Sequence, residues 1–181
     1  KKPRQRKLLN TLQLLHQHNI THVPKPIEKS EELNIGLYEW IHGENIGQPN
    51  LYDLEQAIAF VKQLHTLSQN IDKNNINIAS ECCLSVDELV NQIENRLLKL
   101  ENNSFQELLT FIETVFKPLW TEAKDKSLFY WSIEDRENLL PVEKQTLSPS
   151  DFGFHNSIKM DDGSLTFLDF DYFGWDDPVK L

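Results

Sequence analysis

Three oxygen-bearing side chains near the end of the sequence have types and spacing suited to phosphoryl transfer. Asp151, Asn156 and Asp169 lie in the segment LSPSDFGFHNSIKMDDGSLTFLDFD, residues 147–171. A kinase needs one carboxylate to orient an attacking hydroxyl, and an amide oxygen and a second carboxylate to hold Mg²⁺ against the nucleotide phosphates. These three side chains could supply that chemistry if the fold brings them together.

A β-hairpin is predicted between them. Two short runs, Asn156–Met160 and Ser164–Leu168, flank an Asp-Asp-Gly turn, which is a strong hairpin signal. Antiparallel pairing places the start of the first strand beside the end of the second, so Asn156 and Asp169 are expected to meet at the open end. Asp151 then lies on the loop that leads into the hairpin.

The same residue types also occur in ordinary turns, because Asp and Asn side chains cap and bend the backbone. A role in the turn is enough to explain Asp161 and Asp162. It accounts poorly for Asp151, Asn156 and Asp169 taken together with a hairpin and a hydrophobic-Asp-Phe segment.

These residues resemble the aminoglycoside phosphotransferase and choline kinase family, which has a protein-kinase-like fold. The family's catalytic loop reads H-x-D-x4-N and its metal segment reads (I/L)-D-(F/L). The resemblance implies that Asp151 is the catalytic base and that Asn156 and Asp169 bind Mg²⁺. The segments SPSDFGFHN and DFDYFGWDDP are similar to an uncharacterised bacterial branch of the family. Asp171 and His155 are auxiliary candidates, and loop packing is the expected role of His155.

A second motif resembles the family's hinge, L-x-E-x-x-x-G, and reads LYEWIHG over residues 37–43. The resemblance implies that adenine lies against this segment, with the Glu39 C=O and the Ile41 N–H as backbone partners. Tyr38 occupies the gatekeeper place. The implied cofactors are ATP and Mg²⁺, and the implied partner is a small-molecule substrate that carries a hydroxyl.

Several positions depart from the family. Pro149 stands where the family has His, Ser150 where it has Gly, and Leu8 where a helix glutamate is expected. The six glycines form neither a G-x-G-x-x-G loop nor a Walker A motif. Two hypotheses therefore stay open: an ATP- and Mg²⁺-dependent small-molecule phosphotransferase, or a pseudokinase or ligand-binding module that keeps the fold without catalysis. We favour the enzyme because all three oxygen ligands are present.

Composition narrows the remaining classes. The chain has 181 residues and a net charge of −10, with a pI near 5.0, which argues against a nucleic-acid binder. The electrostatic field of this negative charge favours cationic substrates, although a need for solubility explains the acidic composition equally well. No apolar stretch is long enough to span a membrane, so no membrane insertion is expected. The adjacent Cys82 and Cys83 suggest reduced thiols and a cytoplasmic location. The sequence leaves the oligomeric state open.

The predicted fold class is α+β and protein-kinase-like. Residues 1–43 are expected to form a partial N-lobe with a hinge, and residues 44–181 a mostly helical C-lobe that is truncated at its end. The first predicted helix covers Lys7–His18, with Leu8, Leu9, Leu12 and Leu15 on one face, and a strand is predicted over Asn34–Ile41.

Three further helices are predicted in the C-lobe. The first covers residues 51–67, is capped by Asn50 and carries an apolar stripe of Ile58, Val61, Leu64 and Leu67. The second is capped by Ser85 and reaches about Leu100, and the third runs from Ser104 to Ala123 with a bend at Pro118. The aromatic group Phe129-Tyr130-Trp131 is expected in the core.

Overall fold

The computed structural model describes residues 4–30, 32–33 and 35–180, with side chains from residue 8 onward. The helices are α1 Arg4–Gln17, α2 Leu51–Asn70, α3 Val86–Glu101, α4 Gln106–Phe111, α5 Lys117–Leu128 and α6 Ile133–Glu137. The strands are β1 Pro26–Ser30, β2 Ile35–Tyr38, β3 Glu44–Asn45, β4 Thr146–Ser148, β5 Ser157–Lys159, β6 Leu165–Phe167 and β7 Gly174–Asp176. No helix in the described part of the chain is both long and apolar enough to cross a membrane.

Packing divides the chain into two compact units: Lys1–Cys82 with Val142–Leu181, and Cys83–Pro141. The first unit contains every strand of the described residues, in three small antiparallel sheets ordered β1-β2, β3-β5-β6 and β4-β7. The lobe boundary predicted at residue 43 falls inside this unit and stays a prediction.

The predicted hairpin is present as β5 and β6. Ser157 lies opposite Phe167 and Lys159 opposite Leu165. The Met160 N–H donates to the Ser164 carbonyl at 2.9 Å, and the intervening turn has Gly163 at φ +84°. Glycine adopts this conformation without steric cost, which is why the Asp-Gly signal located the turn correctly.

The core of the first unit is formed by α1, α2 and the aromatic side chains of the hairpin region. Leu9, Leu12 and Leu15 of α1 are buried as their spacing predicted, and Leu8 is half-buried. The stripe predicted for α2 was wrong in part, because Ile58 is 46% exposed. The buried face of α2 consists of Asp53, Ala57, Phe60, Leu64, Leu67 and Ser68.

The Asn50 cap of α2 is confirmed. The Asn50 side chain accepts the Asp53 N–H at 3.1 Å, and the Asp53 carboxylate accepts the Asn50 N–H at 2.9 Å. This reciprocal capping box satisfies two backbone donors at the helix start. The helix extends to Asn70, three residues beyond the predicted end.

The strand prediction before the hinge needs correction at both ends. An unpredicted strand, β1, begins at Pro26, where an edge strand tolerates the missing N–H. The partner β2 ends at Tyr38 rather than Ile41, and Asn34 lies outside the described residues. Glu39 leaves the sheet while bonded to Lys25 through both its N–H and its carboxylate, at 2.9 and 2.7 Å.

The second unit is helical. The Ser85 cap and α3 are confirmed, since the Ser85 hydroxyl accepts the Glu88 N–H at 3.1 Å. The helix predicted from Ser104 begins at Gln106 and is interrupted by a π-helical turn at Ile112–Phe116. Pro118 explains the interruption, because its ring would clash with the carbonyl of Thr114 in a regular helix and the wider turn relieves that clash.

The core assignment of the aromatic group at residues 129–131 was wrong. Phe129 and Tyr130 are each 83% exposed, and Trp131 is 48% exposed. These residues directly follow α5, whose last turns read EAKDKSL and offer little apolar surface for packing. Aromatic residue type alone was therefore a poor guide to burial here.

Candidate active site

The strand before the predicted catalytic segment, β4, is held by α2. All three residues of β4 are buried, and the Leu147 N–H donates to the Ser68 hydroxyl at 2.7 Å. The Ser68 hydroxyl also donates to the Leu64 carbonyl at 2.7 Å, as expected for a residue on the buried helix face. The segment that follows β4 thus starts from a fixed position.

A tight turn then leads from β4 to Asp151. Ser150 has φ 70°, in the left-handed region, and its N–H donates to the Ser148 hydroxyl at 3.0 Å. Asp151 is exposed directly after this turn. The next residue, Phe152, packs against Phe60 and Phe167, with ring centroids 5.7 and 5.1 Å away. The packing of Phe152 against these two rings therefore holds the backbone next to the exposed Asp151 carboxylate.

Asn156 is oriented by its own hydrogen bonds. Its Nδ2 donates to the Asp151 carbonyl at 2.9 Å, and its backbone carbonyl accepts the Leu168 N–H at 2.8 Å. Because the side-chain nitrogen must face the Asp151 carbonyl, Oδ1 is directed away from it and remains available as an acceptor. This is the arrangement expected of an amide that offers its oxygen to a cation.

Asp169 follows Leu168 at the end of the hairpin opposite the Asp-Gly turn. It is exposed and has φ 60°, whereas the next residue, Phe170, is 1% exposed. Since Asn156 bonds to Leu168 across the strands, the hairpin brings Asn156 and the predicted metal segment together. A non-glycine residue in the left-handed region is strained, and such strain is common at functional sites.

The auxiliary candidates lie in two different places. The Nε2 of His155 is 3.2 Å from Oδ1 of Asp151. Asp171 is half-buried and acts on Tyr38: burial raises the pKa of the Tyr38 hydroxyl, and the negative charge of Asp171 raises it further. The Tyr38 hydroxyl oxygen is buried and has no hydrogen-bond partner among the described residues.

One cavity joins the predicted hinge to the predicted metal segment. It has a volume of about 400 Å³ and is lined mainly by apolar side chains. Its lining residues are Leu8, Leu12, Pro24, Tyr38, Glu39, Trp40, Ile41, Gly43, Ile158, Leu168, Asp169 and Phe170. All three hinge candidates and Asp169 therefore border the same space. Within the described residues, neither the Glu39 carbonyl nor the Ile41 N–H has a hydrogen-bond partner.

Two kinds of residue at this cavity were missed by sequence reasoning. Leu12 was assigned only to the core and Leu8 to the core and to the place of the family's helix glutamate, although both line the cavity. Trp40 was given no role, yet it lines the cavity and is 80% exposed. A tryptophan inside a hinge-like segment is the sequence signal that could have identified it, because large aromatic side chains are usually buried or bound.

The two candidate metal ligands, Asn156 and Asp169, suit Mg²⁺ better than a metal ion that takes all of its ligands from protein side chains. Within the described residues, no three His, Cys, Asp or Glu side chains lie close enough together to bind a metal ion. Mg²⁺ commonly takes one or two carboxylates and completes its shell with water and substrate phosphates. The exposed Asp169 carboxylate and the directed Asn156 amide oxygen fit that pattern.

The start of α2 fixes the other end of the hairpin. Lys159 forms an ion pair with the buried Asp53 at 2.7 Å, and Gln56 bonds to the Gly163 carbonyl and the Leu165 N–H at 3.0 and 2.9 Å. The pKa of Asp53 is lowered, first by the Asn50 N–H and then by Lys159. The capping-box spacing was visible in the sequence, but the partnership with Lys159 was not.

A sequence profile described as the phosphotransferase enzyme family matches residues 1–180. The chain belongs to this family. The family resemblance drawn from the sequence is therefore confirmed. No curated protein sequence matches the chain significantly.

Structural comparison agrees with the family on the fold. The chain is similar to a spectinomycin phosphotransferase, APH(9)-Ia, whose structure was solved with ADP and spectinomycin, with a TM-score of 0.60 and 16% sequence identity. The match covers 95% of this chain and 54% of that one, so the chain spans about half the length of the solved protein. The predicted kinase-like α+β fold is confirmed.

Proposed function

We propose that the protein is an ATP- and Mg²⁺-dependent phosphotransferase that acts on a hydroxyl of a small molecule. The observation that carries this proposal is the shared cavity, in which the hinge candidates and Asp169 line one space. An apolar slot with a few directed polar groups suits a purine base with its phosphates at one end. The family membership and the ADP in the similar structure support nucleotide use.

Each proposed residue has a defined task. The Glu39 carbonyl accepts a hydrogen bond from the purine and the Ile41 N–H donates one, while Tyr38 borders the base. Asn156 and Asp169 hold Mg²⁺, which neutralises phosphate charge when it is bound. Asp171 adds negative charge near Tyr38 and is an auxiliary to this site.

Asp151 is proposed as the base for the transfer step. The acceptor hydroxyl oxygen forms a bond to the γ-phosphorus as the bond from that phosphorus to the leaving ADP oxygen breaks. The hydroxyl proton passes to the Asp151 carboxylate, whose exposed position allows an acceptor to approach. Orientation of the hydroxyl and preorganised charge supply most of the acceleration in this class of reaction.

The acceptor is proposed as a soluble small molecule, with the acidic chain favouring a cationic one. The similar structure contains spectinomycin, which supports an acceptor of that size. A cytoplasmic location follows as part of the proposal, because ATP is the donor. Nucleic acid and membrane are not proposed as partners.

The test is Mg²⁺-dependent ATP turnover by the full-length protein, with Asp151→Asn beside the unmodified enzyme. We expect the substitution to lower kcat by at least about a hundredfold, because it removes the general base. Asp161→Asn is the matched control, since this exposed Asp lies on the hairpin turn. Equal turnover by the Asp151 variant and the unmodified protein would remove Asp151 from its proposed role.

A second candidate function is a nucleotide-binding pseudokinase, which one observation favours. Leu8 lines the hinge cavity where the family places a glutamate, and a leucine cannot form the ion pair that orients a phosphate-binding lysine. Titration with Mg²⁺ and ADP, followed by thermal unfolding and by Trp40 fluorescence with Trp40→Phe as control, measures binding. Binding without turnover would favour the pseudokinase.

A further inference from the structure

His155 is placed against the proposed base by the local fold. The 3₁₀ turn Phe154–Asn156 is closed by the Asn156 N–H, which donates to the Gly153 carbonyl at 3.0 Å. The turn places Nε2 of His155 at 3.2 Å from Oδ1 of Asp151. Both side chains are exposed, at 63% for His155 and 60% for Asp151, so packing alone does not fix either of them.

Gly153 provides the space that the imidazole occupies. A Cβ atom at this position would lie 2.7 Å from Nδ1 and 2.8 Å from Cε1 of His155, closer than van der Waals contact permits. The backbone φ of 174° is extended, so alanine can adopt it without strain. The effect of a methyl group at Gly153 would therefore fall on the His155 ring.

We propose that His155, seated against Gly153, is a positioning residue for the Asp151 carboxylate. The inference rests on the proposed function of Asp151 as base. A hydrogen bond from Nε2–H to Oδ1 selects one orientation of an otherwise mobile carboxylate and leaves Oδ2 for the acceptor hydroxyl. Because small misplacements of a reacting group lower the rate, this selection contributes to kcat rather than to nucleotide affinity.

The departure from the family motif gives this contact its context. Pro149 occupies the position where the family's loop carries histidine, two residues before the base. In this chain a histidine four residues after the proposed base contacts its carboxylate. The contact needs only an Nε2–H donor, which both the imidazolium and one neutral tautomer provide.

The test is a double-mutant cycle on ATP turnover by the full-length protein, with Mg²⁺, ATP varied up to saturation, and water as the phosphoryl acceptor. We expect His155→Ala to lower kcat about fivefold, which corresponds to about 1 kcal/mol, the upper range for an exposed pair. KM for ATP should stay unchanged. His155→Gln should recover at least half of the loss, because its amide can also donate.

Gly153→Ala keeps the imidazole but displaces it, so we expect a similar loss of kcat. The double variant should be no slower than either single variant, since both changes remove the same contact. His65→Ala is the matched control, because His65 is also exposed and also contacts a side chain four residues away, Gln69. It should leave turnover unchanged.

The outcomes separate this inference from the proposed function. An unchanged or increased kcat in His155→Ala, or additive losses in the double variant, would overturn the positioning role while Asp151-dependent turnover still stands. A rise in KM for ATP at constant kcat would also overturn it. If the unmodified protein shows no Mg²⁺-dependent turnover, the proposed function and the inference fall together.

Discussion

Replacing Ser150 by glycine is expected to stabilise the protein at the turn before Asp151. Ser150 has φ 70°, and a side chain in this region costs about 1–2 kcal/mol. Its hydroxyl oxygen is also buried and without a hydrogen-bond partner in the described part of the chain, which costs about 1–3 kcal/mol. Glycine removes both costs and loses about 0.5–1 kcal/mol through the greater freedom of the unfolded chain.

Even with the smaller gains and the larger loss, the net stabilisation of Ser150→Gly is about 1 kcal/mol. The N–H of residue 150 remains, so its bond to the Ser148 hydroxyl is kept. The measurement is the free energy of unfolding from denaturant titration, with the denaturant slope compared between variants. A rise in Tm of about 2–4 °C should accompany a gain of this size.

Two controls divide the effect into its parts. Ser150→Ala removes the buried hydroxyl but keeps the left-handed strain, so it should gain less than glycine. Asn19→Gly tests another residue at positive φ, 60°, where asparagine already tolerates the conformation and the gain should be a few tenths of a kcal/mol. If Ser150→Gly is no more stable than Ser150→Ala, the strain assigned to this turn is refuted.

Two further predictions concern α2. Leu64 is buried, so Leu64→Ala should lower the free energy of unfolding by about 2–5 kcal/mol. Ile58 is partly exposed, so Ile58→Ala should change this free energy by less than about 0.5 kcal/mol. Equal losses for the two variants in denaturant titrations would contradict the observed buried face of the helix. Asp53 has a lowered pKa in the folded state, so its stabilisation is complete above the unfolded pKa of about 4 and is lost as pH falls through the lower folded value. Asp53→Asn should therefore flatten the decline of stability with acid, and a parallel decline in both proteins would exclude this role.

Features with short-range causes were predictable from the sequence. The caps at Asn50 and Ser85 depend on side chains that bond to backbone three residues away, and both are present. The hairpin turn depends on Gly163, which is one of few residues that adopt its φ without cost. The α1 stripe was also correct, because its apolar residues left only one face to bury.

The errors arose where distant contacts decide the outcome. Ile58 lies on the exposed side of α2 because the helix turns Phe60 and Leu64 toward the aromatic core, which periodicity alone could not choose. The strand β1 depends on pairing with β2, and Pro26 in the sequence argued against it. The contact between His155 and Asp151 requires the exact path of a 3₁₀ turn, to which residue type gives no guide.

The hydrogen bond from the Leu168 N–H to the Asn156 carbonyl has a consequence for motion. This bond closes the hairpin at the end that carries Asp169, and the neighbouring Phe167 N–H is bonded to the His22 carbonyl at 2.8 Å. The Phe167 amide reports release of the segment around His22, whereas the Leu168 amide is freed only when the two strands separate at this end, so its hydrogen exchange reports that opening. The proposed catalytic and metal segments should therefore separate and reclose together, and a ligand that binds either segment should slow exchange of the Leu168 amide.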